Sequence, residues 1–183
     1  MRKTQVSLVM GSDSDFETAE KAIQILNQYG VSYEVRVISA HRDTEACLEF
    51  AKEAHRRGVQ IIIAIAGLSA HLAGVIASNT PLPVLAVPLN RSSLGGLDAV
   101  YSIMQMPAGI PVAMVGIDNT INAALMAIRI LSLQEEALLA KWFTAHEEMK
   151  QQQTYVGWDF TNVWAIDPNK NNGYPYLIFN TGG

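Results

Sequence analysis

Residues 59–66 read VQIIIAIA and run directly into AGLSAHLAG at residues 66–74. From Ile61 to Ala66 every position is apolar, with no alternate polar residue to face water. A strand of that kind is covered on both faces, as the central strand of a parallel sheet is. Working upstream, residues 43–57 place Ala46, Cys47, Phe50, Ala51 and Ala54 on one helical face, with Gly58 after them. Residues 32–38 (SYEVRVI) alternate and are rich in Val and Ile, which predicts a strand. From Phe16 to Tyr29, Ala19, Ala22, Ile23, Leu26 and Tyr29 recur at helical spacing, and Gly30 is the stop signal. Residues 5–10 (QVSLVM) are a short apolar strand ending at Gly11.

Downstream the alternation continues. A short helix is expected over 70–78, a strand over 83–88, a helix over 97–105, a strand over 111–117, and helix in two parts over 120–149. Strands alternating with helices imply βαβ units with right-handed crossovers. The expected fold is therefore α/β: a three-layer, flavodoxin-like, doubly wound domain on five parallel strands, occupying residues 1–150. In such sheets ligands sit beyond the carboxyl ends of the strands, so the residues just after each strand are where function is expected. Residues 151–183 read differently. They hold Tyr155, Trp158, Phe160, Trp164, Tyr174, Tyr176 and Phe179 but few charges, among them Asp159, Asp167 and Lys170. No helical period appears there, which predicts an irregular or hairpin-like aromatic extension, too short for a core of its own.

Composition narrows the function classes. The chain has 183 residues and a net charge of −4, which argues against a broad nucleic-acid surface. A local anion site is still open to it, because backbone N–H groups and one Arg suffice for a phosphate. No apolar run reaches the ~18 residues of a membrane span, and the N-terminus carries no signal-like segment. The single Cys47 cannot form an internal disulfide and falls on an apolar helix stripe, so it reads as a buried small hydrophobe. A cytoplasmic location is expected. No paired Cys or His spacing suggests a metal, and neither a P-loop nor a G-x-G-x-x-G is present.

The loops after the strands carry the candidate chemistry. GSDSD (11–15) supplies Ser12, Ser14 and Asp15, suited to an anionic group at a helix start and to ribose hydroxyls, although the same residues also make a plain helix cap. SAHR (39–42) places Ser39, His41 and Arg42 together. A His there can exchange a proton near neutral pH, and an Arg can clamp a phosphate with two parallel bonds. In AGLSAHLAG, Gly67 lets backbone approach a ligand closely. His71 starts the next helix, where a neutral hydrogen-bonding role suits it. The segment PLNRSSLGGLD (88–98) is small-residue rich, like an active-site loop or lid.

Taken together, VMGSDSD (9–15), SAHR (39–42), AGLSAHLAG (66–74), PVLAVPL (83–89), VYSIMQMPAGIPVA (100–113) and NAALMAIRIL (122–131) resemble the PurE family. They stand in that family's order over about residues 5–135. The family contains N5-carboxyaminoimidazole ribonucleotide mutases and direct CO2-dependent carboxylases of aminoimidazole ribonucleotide. Ala-His-Leu at 70–72 and MQMPAGIPV look like the mutase type. The resemblance implies His41 as general acid and base. Ser12 and Asp15 would bind the ribose-phosphate part, Arg42 would hold its phosphate, His71 and the Gly67 backbone would line the carboxylate pocket, and Ser14, Ser39 and Leu72 would also bind the substrate. It implies no cofactor, a small nucleotide substrate with CO2, and a homo-octamer. The chain departs from the family at Leu68 and Ser69, where Gly-Gly or Gly-Ala is usual, at Ala73, where Pro is usual, and in its aromatic end. A non-catalytic nucleotide-binding paralogue is the alternative of a different class; a generic phosphate binder would explain GSDSD but not SAHR with Ala-His-Leu.

Overall fold

A computed structural model describes residues 3–151, 158, 160, 161 and 163–177. By the density of internal contacts the chain divides into a first compact unit, Met1–Leu131, and a second, Ser132–Gly183.

In the first unit five strands alternate with helices. They are β1 (Val6–Met10), β2 (Tyr33–Val37), β3 (Ile61–Gly67), β4 (Val84–Leu89) and β5 (Ala113–Met114). The helices are α1 (Phe16–Tyr29), α2 (Thr44–Glu53), α3 (Leu72–Ala77), α4 (Leu97–Met104) and α5 (Thr120–Ser132). The sheet is parallel throughout, in the order β2-β1-β3-β4-β5. β1 and β3 lie at its centre, and the order reverses between them. This is the doubly wound α/β architecture expected from the alternation. Ile61, Ile62, Ile63 and Ile65 of β3 are completely buried, each contributing roughly 1.5–3 kcal/mol by leaving water.

Local signals explain where the elements stop. Gly30 takes φ 73°, and the N–H of Val31 bonds back to the Leu26 carbonyl at 2.9 Å, closing α1 in a Schellman pattern. Asp43 caps α2 by accepting from the Ala46 N–H at 3.1 Å. Two expectations need correction. The helix expected over 43–57 is α-helical only to Glu53 and tightens into a 3-10 turn over His55–Arg57. The short strand β5 replaces the one expected over 111–117. It is an edge strand and Pro111 has no N–H to give a ladder, so beyond Met114 only isolated bonds continue, such as Val115 N–H to Ala86 O at 3.0 Å.

Cys47 is fully buried. Burial pushes its thiol above the usual range and the charge of Asp43 adds to this, so it carries no nucleophile.

The second unit contains α6 (Glu136–Glu148) and an antiparallel pair, β6 (Trp164–Ala165) with β7 (Tyr176–Leu177). Trp158 packs 4.3 Å from Trp164 and 6.4 Å from Phe160, ring centre to ring centre. Lys150 and Lys170 lie over the rings of Tyr174 and Tyr176. Tyr155, Asp159 and Phe179 of the aromatic stretch lie outside the described residues. Among the described residues no helix is long and apolar enough to cross a membrane.

Candidate active site

Parallel pairing brings the carboxyl ends of four strands to one edge. Met10 of β1 is level with Val37 of β2 and Ile65 of β3, and Gly67 of β3 is level with Leu89 of β4. The loops leaving those strands therefore converge. Between them lies a cleft of about 500 Å³. Ser12, Ser14, Asp15, Ser39, His41, Arg42, Gly67, His71 and Leu72 all line it, so the candidate residues of the first three loops meet at one place. Ala40, Ala66, Leu68 and Leu72 give it apolar walls.

The two histidines are in direct contact. His41 Nε2 lies 2.8 Å from His71 Nδ1, with the rings nearly perpendicular at 87°. One nitrogen donates and the other accepts, so the two tautomers are tied together. A proton gained on the outer nitrogen of one ring can be answered by movement of the shared hydrogen. His71 precedes α3, whose N-terminal end follows it.

The GSDSD loop does two separate jobs. Ser12 caps the 3-10 turn Asp13–Asp15 by accepting from the Ser14 N–H at 3.3 Å, and the Ser14 hydroxyl donates to Ser12 Oγ at 2.9 Å. Asp15 stands at the cap position of α1 yet makes no side-chain capping bond. Its carboxylate is instead turned to Arg91, whose Nε donates to Oδ1 at 3.1 Å. Arg42 ties two loops together: its Nη2 donates to the Gly11 carbonyl at 3.1 Å, and its backbone N–H donates to Ser39 Oγ at 3.3 Å.

A family profile described as AIR carboxylase matches residues 5–152. The chain belongs to the AIR carboxylase family. It is 54% identical over 132 residues to the N5-carboxyaminoimidazole ribonucleotide mutase of Aquifex aeolicus, covering 72% of this chain and 79% of that protein. Against the mutase of Pyrococcus horikoshii it is 49% identical over 150 residues, covering 82% and 85%. A crystal structure of Treponema denticola PurE superposes with a TM-score of 0.74 at 34% identity, covering 82% of this chain and 94% of that one.

Within this AIR carboxylase fold the cleft has one further charged residue that the sequence did not single out, Arg91. It follows β4 by two positions, so the rule that function gathers just after each strand pointed at it. The loop was read for its small residues rather than for its arginine. Arg91 also explains Gly67. A Cβ at Gly67 would stand 2.7 Å from Arg91 Cγ and 2.9 Å from Arg91 Cβ, so glycine clears the path of the arginine stem.

Proposed function

We propose that this chain is an N5-carboxyaminoimidazole ribonucleotide mutase of purine biosynthesis, moving a carboxyl group from the exocyclic nitrogen to carbon 4 of the aminoimidazole ring. The mutases of Aquifex aeolicus and Pyrococcus horikoshii, about half identical over most of their length, support the activity. The observation that carries the mechanism is the His41–His71 hydrogen bond inside the cleft.

The reaction is proton-neutral. Cleaving the N–CO2 bond of the carbamate leaves the electron pair on nitrogen, which takes up one proton as CO2 departs. Carbon 4 of the electron-rich ring then attacks that CO2, and loss of the carbon 4 proton restores the aromatic ring. One acid–base group that gives a proton and takes one back is sufficient, and no ATP or redox partner enters the balance. His41 fills that role, and His71 holds its tautomer and accepts or returns the shared hydrogen. Released CO2 is small and apolar, and the walls of Ala40, Ala66, Leu68 and Leu72 suit its retention. Holding it beside carbon 4 replaces an encounter in solution by a positioned one. Ser12, Ser14 and Arg42 bind the phosphate, Ser39 supports Arg42 through its backbone N–H, and Asp15 accepts from ribose hydroxyls. Gly67 and Leu72 shape the carboxylate end.

A second reading, direct carboxylation of aminoimidazole ribonucleotide by CO2, is favoured by 46% identity over 148 residues to the chloroplastic phosphoribosylaminoimidazole carboxylase of Vigna aconitifolia, although the match spans only 27% of that protein. Turnover separates the two. Fresh N5-carboxyaminoimidazole ribonucleotide at low bicarbonate should be converted rapidly. Conversion only of aminoimidazole ribonucleotide at high CO2 would reassign the chain to the carboxylase reaction.

A further inference from the structure

We infer that Arg91 is a positioning residue that holds Asp15 ready for the sugar hydroxyls of the nucleotide, and that it thereby sets the preference of this site for a ribonucleotide. The inference rests on the functional reading above. Asp15 is 5% exposed, and an acidic group so enclosed needs a partner. Its cap position is unused, so the side chain is not there to start α1. Arg91 supplies the partner at Oδ1 only. Among the described residues no donor reaches Oδ2, which leaves that oxygen an acceptor in a residue that lines the cleft.

Arg91 is itself held on several sides. Its Nη2 donates to Thr18 Oγ1 at 2.9 Å, and the carbonyl of Thr18 accepts from the buried Thr120 hydroxyl at 2.7 Å. The neighbouring Asn90 N–H donates to Asp118 Oδ1 at 3.0 Å. The stem of Arg91 passes over Gly67 at a distance that no side chain there would permit. The guanidinium therefore has its direction fixed by α1, α5 and β3 together. A fork of fixed direction gripping one oxygen orients the other. Arg91 need not touch the substrate to act.

The test is a set of variants read by KM, kcat and ligand discrimination. Arg91→Gln should raise KM for N5-carboxyaminoimidazole ribonucleotide by about 10-fold or more, the loss expected of one charged hydrogen bond, with kcat falling less than KM rises. Gly67→Ala, which displaces the arginine stem, should reproduce that pattern, and Arg91→Lys should restore part of it. In an Asp15→Asn background, Arg91→Gln should add little, since both changes act on one contact. Wild type should bind aminoimidazole ribonucleotide better than its 2′,3′-dideoxy counterpart, and Arg91→Gln should bind the two alike. Equal effects of Arg91→Gln in the wild-type and Asp15→Asn backgrounds would overturn the inference, as would an unchanged sugar preference. If Arg91→Gln fails to fold, Arg91→Lys and Gly67→Ala carry the same comparison. Binding of the two nucleotides is read without turnover, so a wild type that converts no substrate would count against the mutase reading and leave the sugar preference to judge Arg91.

Discussion

Leu68 holds a left-handed backbone, φ 56°, between Gly67 and Ser69 on the cleft wall, and 55% of its surface is exposed. That conformation costs a leucine about 1–2 kcal/mol, and the exposed side chain recovers little of it by burial. Strain kept at the edge of a reacting cleft is a feature of functional sites. Leu68→Gly should therefore raise stability by roughly 1 kcal/mol, seen as a higher thermal midpoint, while kcat/KM for the ribonucleotide falls because an apolar wall is lost. A lower midpoint would contradict this reading. At this scale the sequence was informative about His41, His71 and Arg42, because His and Arg after strand ends have few packing explanations. It was silent on their contact. Whether two imidazoles thirty positions apart touch depends on the register of β2 against β1 and of β1 against β3, which no local pattern contains. The position of Arg91 two residues after β4 was legible, but its pairing with Asp15 on a distant loop was not.

Among the elements, β2 is an edge strand and carries charge accordingly, as edges that avoid pairing do. Glu34 accepts from Ser7 Oγ on β1 at 3.1 Å, from Arg36 at 2.9 Å and from Arg57 at 2.8 Å. Burial alone would raise its carboxyl, but the hydrogen bonds from Arg57 and Arg36 outweigh this and hold it below the usual range. A carboxylate depressed in the folded chain adds stability above its unfolded value, and that stability is lost as pH falls through the folded value. Thermal stability should thus decline as pH drops below about 4.3, the ordinary glutamate value. Glu34→Gln should lower the midpoint at pH 7 and flatten the acid decline; an identical acid slope in the variant would contradict this. Element positions were well read where a period or a glycine spoke, as in α1, whose limits Phe16 and Tyr29 match the helical stripe and the Gly30 stop. They were misread where the end depends on partners. β5 is short because it has one neighbour and Pro111 beside it, and α2 stops early because Ala54 to Gly58 close a tighter turn that hydrophobic spacing does not distinguish from helix.

On the scale of the whole molecule, the five-stranded parallel order follows from the alternation of strands and helices, and the cleft follows from the order. Whether copies assemble does not follow from either. Helix α4 nonetheless exposes Leu97, Tyr101 and Met104 at successive helical turns on one side, with Tyr101 65% exposed. Among the described residues that helix face is apolar and exposed, as a face that packs on a partner is. The homo-octamer implied by the PurE resemblance would cover it with a second copy. Light scattering should give a mass several times that of one chain, and Tyr101→Glu should reduce it; a monomeric wild type would contradict the assembly. The proton-carrying role of His41 is probed by His41→Asn. With fresh N5-carboxyaminoimidazole ribonucleotide at low bicarbonate, wild type should turn over and His41→Asn should lose at least about 100-fold in kcat, the low end for an acid–base group, while binding of aminoimidazole ribonucleotide stays within a few-fold. Turnover by the variant at a rate near that of wild type would contradict the assignment of His41 as the proton carrier.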